Sequence, residues 1–166
     1  MLDEFSGFTC SFSQLRAESR GSVHARSADP FEPPAIRYNY LDTENDRRTV
    51  VDGMQLLRRL TRTPPFADYV AEERVPGPSV QTDDEMLAYC LAHGETVFHP
   101  TSTCRMGTDA ASVVDEHLRV RGVGGLRVID ASVMPSVVSG NTNAAVVAVA
   151  EMGADRVLAF PAAAAG

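Results

Sequence analysis

The nine residues H-P-T-S-T-C-R-M-G, 99–107, and the eighteen residues L-R-V-I-D-A-S-V-M-P-S-V-V-S-G-N-T-N, 126–143, are the densest stretches of the chain. Everything before His99 reads as a module that delivers and covers these two stretches, and everything after Asn143 as an apolar helix that anchors them. In the first stretch, Pro100 biases His99 toward extended geometry and so restricts where its ring can point. His99 is the one histidine set among several hydrogen-bonding side chains: Thr101, Ser102, Thr103 and Arg105. Imidazoles as a class titrate near neutral pH and suit general base work, although a lone histidine before proline is more often structural. In the second stretch, Asp130 and Ala131 follow R-V-I, a strand pattern, and an acid at a strand's C-terminal end is either a ligand-crevice residue or a turn residue. Asn141, Thr142 and Asn143 open directly into apolar sequence. Such residues are good helix caps, and they also set unpaired N–H groups where an electron-rich group can bind.

Outward from these stretches, the pattern predicts an α+β protein. Phe8, Cys10 and Phe12 alternate with polar residues across Phe5 to Leu15, a strand candidate. R-A-E-S-R-G, 16–21, is a polar turn in which Gly21 can take positive φ. Ser22 to Ala28 then completes a predicted antiparallel hairpin, with His24 an exposed strand residue. D-P-F-E-P-P, 29–34, breaks regular structure, and Ala35 to Leu41 is a third strand candidate. A helix is expected from about Thr43 to Thr61, capped by Asp42 or Thr43, with Val50, Met54 and Leu57 on the inner face flanked by Val51 and Leu60, and with Arg47, Arg48, Arg58 and Arg59 solvated. T-D-D-E, 82–85, is a capping box for a second helix to about His93, with Met86, Leu87, Cys90 and Leu91 buried. Thr96 to Met106 is expected to be extended, Ser112 to Val120 and Leu126 to Ile129 to be strands around a G-V-G-G turn, and Asn141 to Leu158 to be the last helix. Pro161 to Gly166 reads as a frayed tail.

Composition narrows the function classes. The 166 residues are 44% hydrophobic and 22% charged, with a net charge of −7 and no block of basic residues, so nucleic-acid binding is not expected. Three widely spaced cysteines, without a C-x-x-C pair, predict neither a disulfide framework nor a zinc site. A set of His93, His99 and Cys104 matches no usual metal-ligand spacing, and no metal is expected. The N-terminus has no signal-peptide pattern, and the apolar run Ala144 to Ala150 is too short to span a bilayer, so a cytoplasmic setting is expected.

The two stretches, in their order and spacing, resemble the C-terminal region of the glucose-methanol-choline (GMC) family of flavin-dependent alcohol oxidoreductases. V-V-D-E-H-L-R-V-R-G-V-G-G, between them, is similar too, and Q-L-R-A-E-S-R-G-S-V, P-P-A-I-R-Y-N-Y-L and E-N-D-R-R look like substrate-domain segments of choline-dehydrogenase-like members. The resemblance implies that residues 1–95 are the C-terminal part of a substrate-binding domain on an antiparallel sheet packed with helices. It implies that residues 96–166 are the C-terminal part of an FAD-binding domain, an α/β remnant. It makes His99 and Asn141 the catalytic pair, sets Asp130 and Ala131 near the FAD phosphates and ribityl chain, and sets Thr142 and Asn143 beside the isoalloxazine ring. The implied reaction is oxidation of a primary alcohol, choline-like or other, to an aldehyde. The family's strand–G-x-G-x-x-G–helix is missing here, since Gly122-Val123-Gly124-Gly125 has the wrong spacing. The chain therefore reads as the last part of a longer enzyme, whose N-terminal FAD-binding part acts in cis or in trans. The alternative is a non-catalytic fragment. An uncovered sheet surface would favour self-association, and membrane association is left to a full-length form.

Overall fold

The computed structural model describes residues 5–159, so the expected tail at Pro161–Gly166 lies outside the described residues. Two strands, β1 (Ser22–His24) and β2 (Ala35–Arg37), pair antiparallel, and three helices follow: α1 (Glu44–Thr61), α2 (Asp83–His93) and α3 (Asn143–Leu158). Single 3-10 turns occupy Phe66–Tyr69 and Ala131–Val133. The α+β class thus holds. The chain divides into two compact units, residues 5–14, 18–20 and 39–96 in one and 15–17, 21–38 and 97–159 in the other.

The first unit is built on α1 and α2. Thr43 caps α1 by accepting the Asp46 N–H at 3.2 Å. Thr82 and Glu85 form the expected capping box on α2: Thr82 Oγ1 accepts the Glu85 N–H at 3.2 Å, and Glu85 Oε2 accepts the Thr82 N–H at 2.8 Å. Val51, Met54 and Met86 form the core between the helices, edged by Val80, Leu87, Tyr89 and Cys90. Val51, at the flank of the expected stripe, is buried together with Met54, while Val50 and Leu57 are half-buried. Arg58, expected on the solvated face, instead makes a two-pronged bond to Glu73, with Nη2 to Oε1 at 2.7 Å and Nε to Oε2 at 3.0 Å.

Residues 5–21 form no strand, contrary to the alternating pattern. The aromatic residues of that pattern lie against α1 and the 3-10 turn at Phe66–Tyr69 instead. The Phe8 ring stacks on Phe66 at 5.1 Å, and the Phe12 ring lies where a Cβ on Gly53 would be only 2.5 Å away. The N–H groups of Glu18 and Ser19, which a ladder would need, go to the Asp46 carboxylate at 2.9 and 2.7 Å. The hairpin is accordingly β1 with β2, in the register Ser22↔Arg37, Val23↔Ile36 and His24↔Ala35. Gly21 serves it by proximity rather than by positive φ, because a Cβ there would lie 2.2 Å from the Arg37 carbonyl oxygen. The third strand stops at Arg37, short of Leu41, and Asn39 (φ 59°) and Leu41 (φ 56°) are left-handed beyond it.

The second unit has a core of Val114, Leu118 and Val133, edged by Met106, Val120, Val128, Ile129 and Val149. The expected strands at 112–120 and 126–129 are reduced to isolated bridges, Met106↔Val114, Val114↔Val120 and Arg119↔Arg127. Side chains take the place of the ladder. The Asp115 carboxylate accepts the N–H groups of His117 and Arg119 at 2.9 and 3.0 Å, and Leu118 between them is left-handed at φ 62°. Helix α3 packs on the Ala131–Val133 turn, and Ile129 presses on its buried Gly153. The Arg156 guanidinium ties the far end of α3 to the Glu116 carbonyl.

Candidate active site

The two dense stretches of sequence meet through the backbone. The Cys104 N–H bonds the Ser132 carbonyl at 3.0 Å and the Met106 N–H bonds the Val133 carbonyl at 2.8 Å. Val113 returns an N–H to the Arg105 carbonyl at 3.0 Å. Arg105 itself is clamped to Asp109 at 2.9 and 2.6 Å, which holds the Asp109 carboxyl well below its usual range and raises the Arg105 pKa. Arg105 is thereby committed to its own loop, not to a ligand. Left-handed residues bracket the histidine, Phe98 at φ 57° and Ser102 at φ 74°, conformations that non-glycine residues adopt at a cost.

His99 is half-buried, and its Nδ1 lies 3.2 Å from Thr142 Oγ1, a partner 43 residues later in the chain. Thr142 is 8% exposed. Shortly before it, Gly140 holds φ 151°, and a Cβ there would meet nothing within 4 Å, so the backbone conformation rather than lack of space calls for glycine. Asn141 is exposed and its Oδ1 accepts the Asn143 N–H at 3.1 Å. That bond is made by the oxygen of the Asn141 amide, whose NH2 group is a pure donor. The expected helix start at Asn141 thus becomes a capping residue just ahead of α3, which begins at Asn143.

Asp130 caps the short 3-10 turn, its Oδ1 accepting the Ser132 N–H at 2.7 Å, and Ala131 accepts the Met134 N–H at 3.2 Å. Asp130 and Ala131 join α3 through the packing of Ile129 on Gly153 and of Val149 on the Val133 cluster. Of the residues singled out from sequence, His99 and Thr142 touch directly, and Asn141 and Asn143 share the same turn. The Asp130 carboxylate stays with its own 3-10 turn instead. Sequence reasoning missed the Thr142 hydroxyl as the partner of His99, because a threonine at a helix start signals a cap first. His93 bonds the Tyr89 carbonyl through Nδ1 at 3.1 Å and stacks on the Tyr89 ring at 4.4 Å. Among the described residues no group of three or more His, Cys, Asp or Glu is placed to hold a metal ion. Nor is any helix among them long and apolar enough to cross a membrane.

The donor set at the start of α3, namely Asn141, exposed Asn143 and the N–H groups of a 16-residue helix, suits acceptor atoms such as ring carbonyls or an alkoxide-like oxygen. A diphosphate asks for a glycine-rich strand-to-helix turn, and α1 and α2 open instead on threonine caps. These residues fit the ring end of a dinucleotide flavin and not its pyrophosphate.

A family model described as GMC oxidoreductase matches residues 17–150. An oxygen-dependent choline dehydrogenase of Serratia proteamaculans is 42% identical over 151 residues, 91% of this chain and 27% of the relative. An alcohol dehydrogenase (acceptor) of Pseudomonas putida is 44% identical over 149 residues, 90% of this chain and 27% of the relative. Among solved structures, pyridoxine 4-oxidase from Mesorbium loti aligns with a TM-score of 0.82 at 32% identity, over 89% of this chain and 29% of that one. An FAD-dependent oxidoreductase from Chaetomium thermophilum aligns with a TM-score of 0.80 at 31% identity, over 86% and 25%. The chain thus spans about a quarter of the length of the curated relatives it matches, 27% of each of the two dehydrogenases.

Proposed function

The chain belongs to the GMC oxidoreductase family, and from that premise we propose that it carries the proton-handling pair of an enzyme oxidising a primary alcohol, choline-like or other, to an aldehyde. The observation that carries the reading is the turn Gly140–Asn143, in which Thr142 holds the His99 ring at Nδ1 and the adjacent residue, Asn141, caps the same helix start. His99 accepts the hydroxyl proton at its other nitrogen, Nε2. The Asn141 NH2 group donates to the substrate oxygen as negative charge grows there, and its capping bond to Asn143 keeps that amide oriented. FAD, when bound, supplies the acceptor for the hydride leaving the alcohol carbon. Thr142 and Asn143 would lie beside its ring, and Asp130 and Ala131 toward its ribityl and phosphate portion.

Residues 1–95 are read as the C-terminal part of a substrate-binding domain and 96–166 as the C-terminal part of an FAD-binding domain. A glycine-rich nucleotide cradle comes from an N-terminal part, in cis or in trans. A cytoplasmic location, with membrane association left to a full-length form, goes with this reading. The test is alcohol-dependent flavin reduction by an enzyme form that includes the cradle. Truncation at His99→Ala should cost about 10²- to 10⁴-fold in kcat. Truncation at Asn141→Ala should cost about 10²- to 10³-fold. Unimpaired oxidation in both variants would sink the proposal.

The absence of a glycine-rich turn favours a second reading, in which the isolated chain is a non-catalytic fragment or one half of a split enzyme. Co-purification with a polypeptide that bears the turn would support the split form.

A further inference from the structure

The Thr142 hydroxyl serves a histidine rather than its own helix. A threonine at a helix start ordinarily accepts an N–H from the first turn. Thr142 already has helical backbone angles, φ −74° and ψ −16°, and makes no side-chain cap bond. The side-chain bond at this helix start is made one residue earlier, by Asn141 Oδ1 to the Asn143 N–H. Thr142 is also buried, and a buried hydroxyl needs a partner inside the protein. That partner is His99 Nδ1 at 3.2 Å.

We propose that Thr142 is a positioning residue: its Oγ1 accepts the Nδ1–H of His99 and fixes the neutral imidazole in the tautomer whose Nε2 lone pair can take a proton. This rests on the reading of His99 as the base and adds the residue that decides which ring nitrogen works. A hydroxyl can donate or accept, so two arrangements are open to the pair. If Thr142 donated to Nδ1, the hydrogen of the neutral ring would sit on Nε2, and that nitrogen could accept no proton. With Nδ1–H donating to Thr142, Nε2 is a lone-pair acceptor, and the threonine proton is left for a further acceptor. A neutral partner suits this role, since it orients the ring without adding the charge that a carboxylate would bring. The backbone ties from Cys104 and Met106 hold the histidine's segment to the Ala131–Val133 turn, on which α3 packs. Both halves of the His99–Thr142 pair are thus fixed to one scaffold.

The experiment is long-range ¹H–¹⁵N NMR of the His99 ring in the ¹⁵N-labelled 166-residue chain, at a pH where the ring is neutral, with His99→Gln to assign its signals. The wild type should show Nδ1 as the protonated nitrogen. Thr142→Ser should keep that pattern, and Thr142→Val should return the ring to the Nε2–H form that unconstrained imidazole prefers. An Nε2–H ring in the wild type, or an unchanged pattern in Thr142→Val, overturns the proposal. The backbone amide spectrum reports whether the valine variant folds, and if it does not, the wild-type and Thr142→Ser tautomers decide. The base reading fails separately. A ring in the Nδ1–H form together with full alcohol oxidation by the longer His99→Ala enzyme would leave the positioning role standing and remove the base. In that longer enzyme Thr142→Val should lower kcat/KM by on the order of tenfold while Thr142→Ser retains it, the size expected for the loss of one orienting hydrogen bond.

Discussion

At the scale of single residues, the least exposed polar side chain among the described residues is Asp46, 1% exposed. Burial works against its ionisation. Bonds from the Glu18 N–H, the Ser19 hydroxyl and N–H, and the Gln14 amide outweigh that and lower its pKa to about 2 from 3.8. A carboxyl lowered in the folded state adds stability that is fully present above pH 3.8 and is lost as the pH falls through about 2. At roughly 1.4 kcal/mol per pKa unit the Asp46 contribution is about 2 to 3 kcal/mol. Acid unfolding followed by circular dichroism should therefore start just below pH 4, and an Asp46→Asn chain should lack that part of the dependence. An asparagine amide in this place would set donors against donors, so the variant should also lose about 2–4 kcal/mol near neutral pH, read from its urea midpoint. An Asp46→Asn midpoint equal to that of the wild type would show that the four bonds contribute nothing net.

At the scale of elements, α3 depends on a residue with poor helix propensity. Gly153 is buried against Ile129, and a Cβ there would lie 2.3 Å from Ile129 Cγ2 and 3.1 Å from Cδ1. Alanine would gain about 1 kcal/mol from propensity alone. Ile129 is β-branched, and its Cγ2 is fixed to the backbone by one stiff torsion, so the clash has no cheap relief. Overpacking of this kind costs about 1–3 kcal/mol, and the clash at 2.3 Å belongs at the upper end, so it wins. Gly153→Ala should lower the urea midpoint, and the double variant with Ile129→Ala, which removes the obstructing methyls, should lose less stability than the sum of the two single losses. A Gly153→Ala chain more stable than the wild type would mean that α3 can slide on the Ile129–Val133 segment. The same segment carries Asp130 and Ala131, so this contact also sets how the proposed cofactor residues stand relative to the turn that holds His99.

At the scale of the molecule, the residues proposed for the ring end of a flavin site come without a glycine-rich turn for the pyrophosphate, and the chain spans 27% of relatives such as the oxygen-dependent choline dehydrogenase of Serratia proteamaculans. Pyrophosphate binding supplies much of the hold on a dinucleotide through backbone N–H groups and the helix dipole. The purified 166-residue chain should accordingly be colourless and should release added FAD on gel filtration. A retained visible flavin band would show that the α3 turn and the Asp130 region suffice for binding. Addition of a polypeptide bearing the glycine-rich turn should otherwise restore the band.

The sequence by itself determined the three helices and the capping box on α2, because a Thr/Glu pair around one turn acts over a few residues. It also determined the family, because the order of residues 99–107 and 126–143 survives without any knowledge of contacts. It misread the β structure. Alternating Phe8 and Phe12 look alike whether they line a sheet or lie against a 3-10 turn and a helix, and only the folded chain brings Phe66 and Gly53 against them. The bridges at 114–120 failed to become strands for a related reason, since Asp115 takes local N–H groups that a ladder would otherwise use. Only the tertiary structure decided that Asp46 gathers the segment at 14–19, that Gly21 and Gly153 are sites of close approach, and that Thr142 turns its hydroxyl to His99. Each of these joins residues many positions apart, and a pairing of that range is set by which groups burial leaves in need of a partner, not by any pattern along the chain.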